Sequence, residues 1–264
     1  MARSRWMFLS FALGIGLLPA IPRLASAVPT LDLSWDNCAP LISSKVPGPG
    51  ESMVALYCTA TGVDFTHIGY DIRLWFATSS PCAATPGITP DAWRFDDAGC
   101  QAGFAQVVYS NPQPSCPPLS SPQERFTHWD FLHGVADAPP GVMRARVYAE
   151  YPFFTQPAAP GLRQHAFALR FDHQFSVSGA GTPGVECGGY DQGMCFNLRQ
   201  GGTAGCVTPP YISAVLFDAD GHPVPFAIGE GMASFGLDPA TAAGCFQAVP
   251  ARDATWGAIK AQYR

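Results

Sequence analysis

Apolar residues recur along this chain with a period of two. Ile68, Tyr70, Ile72, Leu74 and Phe76 alternate with Gly69, Asp71, Arg73 and Trp75, the clearest such run. Successive side chains on a strand point to opposite faces, so this run predicts a strand with one apolar and one mostly polar face. Leu31, Leu33 and Trp35 alternate in the same way with Asp32 and Ser34. So do Met143, Ala145, Val147, Ala149 and Tyr151 with Arg144, Arg146, Tyr148 and Glu150. Phe167, Leu169, Phe171 and Phe175 alternate with Ala168, Arg170, Asp172 and Gln174. Shorter runs fall over 54–58, 104–109, 194–198, 212–217 and 224–228. Two-faced strands belong to antiparallel sheets that are covered on one side. Many of them, joined by Gly- and Pro-rich turns, predict an all-β fold, an antiparallel β-sandwich with long loops. Two short helical pieces are expected, one over 124–132 and one in the tail from Asp253, where Trp256, Ile259 and Tyr263 share a side.

Composition excludes the alternatives. The chain carries 27 Gly and 26 Pro in 264 residues, and only 13% of them are charged. Average usage would give about 18 Gly and 13 Pro, with charged residues near a quarter. That is poor material for a coiled coil or helical bundle. With 47% hydrophobic residues there is still ample material for a core, so disorder is excluded as well.

The first residues change the charge count and set the compartment. Arg3 and Arg5 precede an apolar stretch from Trp6 to Ile21, and Ala25-Ser26-Ala27 fits the small-residue cleavage rule. Residues 1–27 therefore read as a signal peptide, which places the mature chain in a secreted or periplasmic/extracellular location. Loss of Arg3, Arg5 and Arg23 leaves 12 basic against 20 acidic residues, a net charge of −8. That balance argues against nucleic acid or an anionic membrane as partner. Residues 28–200 are expected to form the sandwich. A Gly-rich stretch at 200–205 then leads into a C-terminal extension, 201–264, a hairpin plus a short helix docked on the sandwich.

Export makes disulfides the default reading of the nine cysteines. Zinc is disfavoured because no Cys-x₂-Cys or Cys-x₄-Cys pair occurs. Proximity along the chain suggests the pairs Cys38–Cys58, Cys100–Cys116, Cys187–Cys195 and Cys206–Cys245, with Cys82 left over. An odd cysteine could also join two chains.

Chemistry-bearing motifs are sparse. Asp218-Ala219-Asp220-Gly221 is a weak metal candidate through Asp218 and Asp220, but a calcium loop counted from Asp218 would need a Glu where Gly229 stands. A hairpin turn is the preferred reading. His128 and His133 are wrongly spaced for a zinc helix, and His165 and His173 share a strand face but lie too far apart for one metal. Ser234 sits in no nucleophile elbow, and Asp96-Asp97 reads as a solvated loop pair. No cofactor and no catalytic residue is expected. Aromatic residues supply the binding candidates: Trp75 on the polar face of its strand, Trp93 in a loop, and Tyr148 on the polar face of another strand. Exposed rings of this kind bind polymers and partner proteins.

Several stretches together resemble a group of secreted bacterial proteins without an established activity. They are the opening Leu31-Asp32-Leu33-Ser34-Trp35-Asp36-Asn37-Cys38, Trp93-Arg94-Phe95 followed by Gly99-Cys100, the Cys187…Cys195 element, and the closing Thr255-Trp256-Gly257-Ala258-Ile259-Lys260-Ala261-Gln262-Tyr263-Arg264. The group's late Cys element is often richer in Cys than Cys187-Gly188-Gly189 here, so a lost partner would explain the odd count. The resemblance implies export and a β-rich body, and it implies no catalytic residue. A fainter, fold-level likeness is to cohesin-type, immunoglobulin-like sandwiches, through 142–151, a Pro-rich bend and 165–175. The sequence thus points to a secreted, disulfide-stabilised binding or cell-surface structural protein rather than an enzyme. Its expected partner is an extracellular polysaccharide or another envelope protein. The alternative is an exported hydrolase of glycans or esters, with a site assembled from loops 77–103 and 110–137.

Overall fold

The structure is a computed structural model that describes residues 29–63, 67–79, 87–109, 116–119, 126–134, 141–150, 162–177, 187–198, 214–218, 220–225, 227–228, 231–236 and 245. Its strands are β1 (Thr30–Trp35), β2 (Ser44–Lys45), β3 (Met53–Thr61), β4 (His67–Ala77), β5 (Ala105–Val108), β6 (Phe126–His133), β7 (Met143–Glu150), β8 (Arg163–Asp172), β9 (Met194–Asn197), β10 (Ala214–Asp218), β11 (Pro223–Pro225), β12 (Ala227–Ile228) and β13 (Met232–Phe235). A single 3-10 turn, Asp91–Trp93, is the only helical element among the described residues.

The strands form two sheets. The smaller has five strands in the order β12-β1-β3-β8-β5. The larger has eight: β11-β10-β4-β9-β13-β2, with β7 on the other edge of β4 and β6 beyond it. β4 organises the larger sheet. Along one edge it pairs with β7 over Gly69–Phe76; along the other it pairs first with β10 and then, through Trp75–Ala77, with β9. The hairpin expected in the extension is β10–β11, and it is hydrogen-bonded into this sheet through β4. The expected boundary near 200–210 and the helix from Asp253 lie outside the described residues.

The core lies where the apolar faces meet. Leu31, Leu33 and Trp35 of β1 stand in register with Ala60, Cys58 and Leu56 of β3, and all are buried. From the larger sheet, Tyr70, Ile72, Leu74 and Phe76 face them. Rings bridge the layers: Trp35 lies 5.2 Å from Phe196 of β9, and Phe171 of β8 lies 6.1 Å from Phe76. Cross-sheet aromatic contacts of this kind bring large apolar area and a preferred edge-to-face geometry, which holds the layers in one register.

Two expectations are corrected here. Residues 126–133 form β6, not a helical piece: the segment pairs antiparallel with β7 along its whole length. Its aromatic and β-branched residues suit a pleated surface, and the partner strand decides the conformation. His165 and His173 do not share a face. The β3–β8 register shifts between Cys58 and Thr59, so Ala166 is an extra residue in the ladder. A bulge of this kind reverses the alternation beyond it. His173 stays on the core side, 4.3 Å from the Trp93 ring, whereas His165 turns to the outer side, 5.5 Å from Tyr57.

Candidate functional site

The outer face of the larger sheet carries polar residues at the positions that alternate with the core. On β4 these are Gly69, Asp71, Arg73 and Trp75; on β7 they are Arg144, Arg146, Tyr148 and Glu150. Register adds Phe126, His128, Asp130 and Leu132 from β6, and Val215 and Phe217 from β10. Their charges are paired. Arg146 grips Asp71 with two hydrogen bonds, from Nε at 2.9 Å and from Nη2 at 2.7 Å. Arg144 donates to Asp130 at 3.0 Å, and His128 lies 3.5 Å from the same carboxylate. The forked guanidinium matches the carboxylate plane, so the Arg146–Asp71 pair is directional as well as ionic.

Beside the ion pairs runs a row of rings. Tyr148 lies 5.7 Å from Phe126 on one side and 5.9 Å from Phe217 on the other. Phe126, Tyr148 and Phe217 come from β6, β7 and β10, so the row crosses the sheet. β7 and β10 flank β4, which puts their backbones roughly 10 Å apart at about 4.8 Å per strand. Tyr148 and Phe217 therefore lean toward each other over β4, and the residue beneath them is Gly69, opposite both Phe217 and Glu150. A Cβ there would lie 2.4 Å from the Ala149 carbonyl oxygen. Burial pushes the Tyr148 hydroxyl up, and the Glu150 and Asp71 carboxylates add to the shift, so it remains a donor at neutral pH. Phe126 is 55% exposed, and Tyr148 and Phe217 are half-buried.

Of the sequence-level binding candidates, Tyr148 alone sits in this row. Trp75 lies at the far end of the face but is buried, packed with Ala77 and Val142. Trp93 is fully buried in the core against His173 and Phe235. Neither ring is the exposed platform expected; packing by neighbouring segments claimed both. Phe126 and Phe217 were missed. Phe126 lies in the segment 124–132 read as helical, and Phe217 ends a short run with only a weak alternation to mark its face.

The remaining candidates fall elsewhere. Ser234 is fully buried in β13. Asp96 is held by Arg94 at 2.8 Å while Asp97 is exposed, so the two do not act as facing carboxylates. Burial pushes the pKa of His165 down to about 4 and that of His173 down to about 3, so both are neutral and closed to solvent. Asp218, Asp220 and His222 bring ligand-type atoms within 4.8 Å of one another. Asp218 Oδ1, however, already accepts the backbone N–H of His222 at 2.8 Å and that of Asp220 at 3.0 Å. The His222 N–H holds this carboxyl below its ordinary range, and the Asp220 N–H acts in the same direction. This is the hydrogen bonding of the β10–β11 turn.

The cysteine pairing differs from the expected one. Cys100 is bridged to Cys187 and Cys195 to Cys245, with Cα–Cα distances of 5.8 and 5.3 Å. These bridges displace the Cys100–Cys116, Cys187–Cys195 and Cys206–Cys245 pairs. Cys38–Cys58 is excluded by strand geometry. Cys58 faces the core between the sheets, whereas its neighbour Tyr57 points outward and packs with Cys38 and Cys116. A sheet thus separates Cys38 from Cys58. Cys58 is a buried thiol, with its pKa driven well up by burial and by the Asp32 charge. Cys82 and Cys206 lie outside the described residues.

No family model matches the chain, and no curated protein matches it. Solved structures similar to it are cohesin modules. A type II cohesin domain from the cellulosome of Acetivibrio cellulolyticus is 11% identical, covers 80% of this chain and 97% of its own, and has a TM-score of 0.38. The second type II cohesin module from the adaptor ScaA scaffoldin of the same organism is 10% identical, with 84% and 99% covered and a TM-score of 0.40. A non-cellulosomal cohesin from the hyperthermophilic archaeon Archaeoglobus fulgidus is 10% identical, with 84% and 99% covered and a TM-score of 0.33. At these scores the likeness assigns the chain no family, ligand or partner.

Proposed function

We propose that this chain is an exported, disulfide-stapled binding or structural protein of the cell exterior, and that it holds its partner on the outer face of the larger sheet. The observation that carries the reading is the row Phe126–Tyr148–Phe217 beside the paired Arg146 and Asp71. Aromatic rings and arginines are enriched, and lysine depleted, at protein interfaces. Arg73, Arg144 and Arg146 supply the basic charge of this face. The favoured partner is therefore another envelope protein, with a polysaccharide as the competing ligand. The Cys100–Cys187 and Cys195–Cys245 bridges support an oxidising, extracellular setting.

The test is a capture experiment with the purified chain and its Tyr148→Ala and Phe217→Ala variants, against fractionated envelope proteins and a glycan array. The expected outcome is retention of one defined protein by the parent chain and at least tenfold weaker retention by each variant, with unchanged circular dichroism. Equal capture by all three would place the site elsewhere. Binding confined to glycans would replace the protein partner by a polysaccharide.

A further inference from the structure

The outer side of the smaller sheet has its own small core. Cys38, Tyr57, Cys116 and Ala168 are buried together there, with Ala55 and Val108 packed around them. Cys38 follows β1. Cys116 belongs to the segment 116–119, which crosses this face as a strap. The strap is tied to β8 through backbone hydrogen bonds: His165 N–H donates to the Pro117 carbonyl at 2.8 Å, and Leu119 N–H to the His165 carbonyl at 2.7 Å. Cys38 and Cys116 are both fully buried in this cluster, and after burial itself the neighbouring Cys38 thiol adds to the upward shift of the Cys116 thiol. The Cys116 thiol also lies 3.7 Å from the Arg163 carbonyl. Among the described residues, no other cysteine belongs to this cluster.

We infer that Cys38 and Cys116 form a further disulfide of the exported protein, stapling the end of β1 to the strap over the smaller sheet. Two thiols buried side by side in one cluster, in a chain that carries the Cys100–Cys187 and Cys195–Cys245 bridges, are placed for oxidation. The inference rests on the export reading only for the source of the oxidant, a disulfide-bearing oxidoreductase or a low-molecular-weight disulfide. One cysteine, as thiolate, attacks the donor disulfide, forms a mixed disulfide and releases one donor thiol. The second cysteine, as thiolate, attacks the protein sulfur of that mixed bond and releases the other donor thiol. The protein loses two hydrogens, and the donor disulfide is reduced to two thiols. Burial drives the Cys116 thiol well above its ordinary pKa, so exchange in the closed pocket is slow.

The bridge would close a stretch of 78 residues, the difference between positions 116 and 38, around the β3–β4 core. It is tested on the full chain, reduced, unfolded and refolded with oxidised and reduced glutathione, so that the outcome does not depend on export. Peptide mapping without reduction is expected to recover the Cys38 and Cys116 peptides linked and two hydrogens lighter. Recovery of either as an alkylated thiol, or bridged to Cys58, Cys82 or Cys206, would overturn the assignment. Cys38→Ala and Cys116→Ala supply a second readout. With a bridge, the two single variants and the double variant lose the same stability, and each single variant gains one alkylatable thiol in denaturant. Additive losses would also count against the bridge.

Discussion

The His173 imidazole lies 4.3 Å from the Trp93 ring and 4.6 Å from that of Tyr190, a titratable group enclosed by aromatic residues with no solvent exposure. Together with His165 on the outer side of the same strand, it links the stability of this β-sandwich to pH.

Both histidines have folded-state pKa values below the ordinary 6.5, about 3 for His173 and about 4 for His165, because burial disfavours the charged form. The unfolded chain takes up these protons below about pH 6.5 and the folded chain does not. The stabilisation is therefore complete above pH 6.5 and is lost progressively as pH falls toward 4 and then 3. Each histidine contributes at most about 1.4 kcal/mol per pH unit. Denaturant unfolding between pH 7.5 and 4.5 is expected to show this slope, with His173→Phe reducing it. A flat profile over that window would show that the histidines titrate freely.

Trp93 touches Phe95, Phe171, Phe196 and Phe235 as well as His173, and it ends a 3-10 turn too short to be stable alone. Trp93→Ala removes the largest side chain from this cluster. A loss of about 3–5 kcal/mol is expected in urea unfolding. A loss below about 1 kcal/mol, the range of a surface change, would show that the ring is not part of the core.

Gly69→Ala places a methyl group against the backbone of β7, 2.4 Å from the Ala149 carbonyl oxygen and 3.1 Å from Glu150 Cα. Neither neighbour is a flexible side-chain end, so β7 must move away from β4. A destabilisation of about 1–3 kcal/mol is expected, with weaker partner capture because Tyr148 rides on β7. Unchanged melting and capture would show that the two strands separate freely at this point.

Cys100 and Cys187 are 87 residues apart in sequence, and their bridge ties the 94–103 turn to the segment that follows β8. Replacing both by Ser frees a long loop in the unfolded chain, worth about 4–5 kcal/mol in the chain-entropy model. The melting temperature of the double variant is expected to fall by at least ten degrees. The same variant melting with the parent would mean that the bridge constrains nothing.

Alternation in 68–76, 143–150 and 167–172 was legible because one face of each strand meets the core and takes apolar residues while the other is mostly polar, a difference written directly into residue type. β6 was not legible. Its residues Trp129 and Leu132 remain partly exposed at the edge of the sheet, so the buried–exposed contrast that marks a strand is weak there. The aromatic row divided in the same way. Tyr148 was readable as a ring on a polar face, but Trp75 has an equivalent sequence position and is covered. Exposure of an outer-face residue depends on what segment crosses it, and no local pattern records that.

Class and strand faces followed from residue type and spacing, because burial preference acts on each side chain where it stands. Partners did not. The bulge at Ala166 that sends His165 outward, the Cys100–Cys187 and Cys195–Cys245 bridges, and the row Phe126–Tyr148–Phe217 all join residues far apart in the chain. Those were decided by tertiary structure, since which strands pair, and in which register, is settled by the packing of whole sheets against each other.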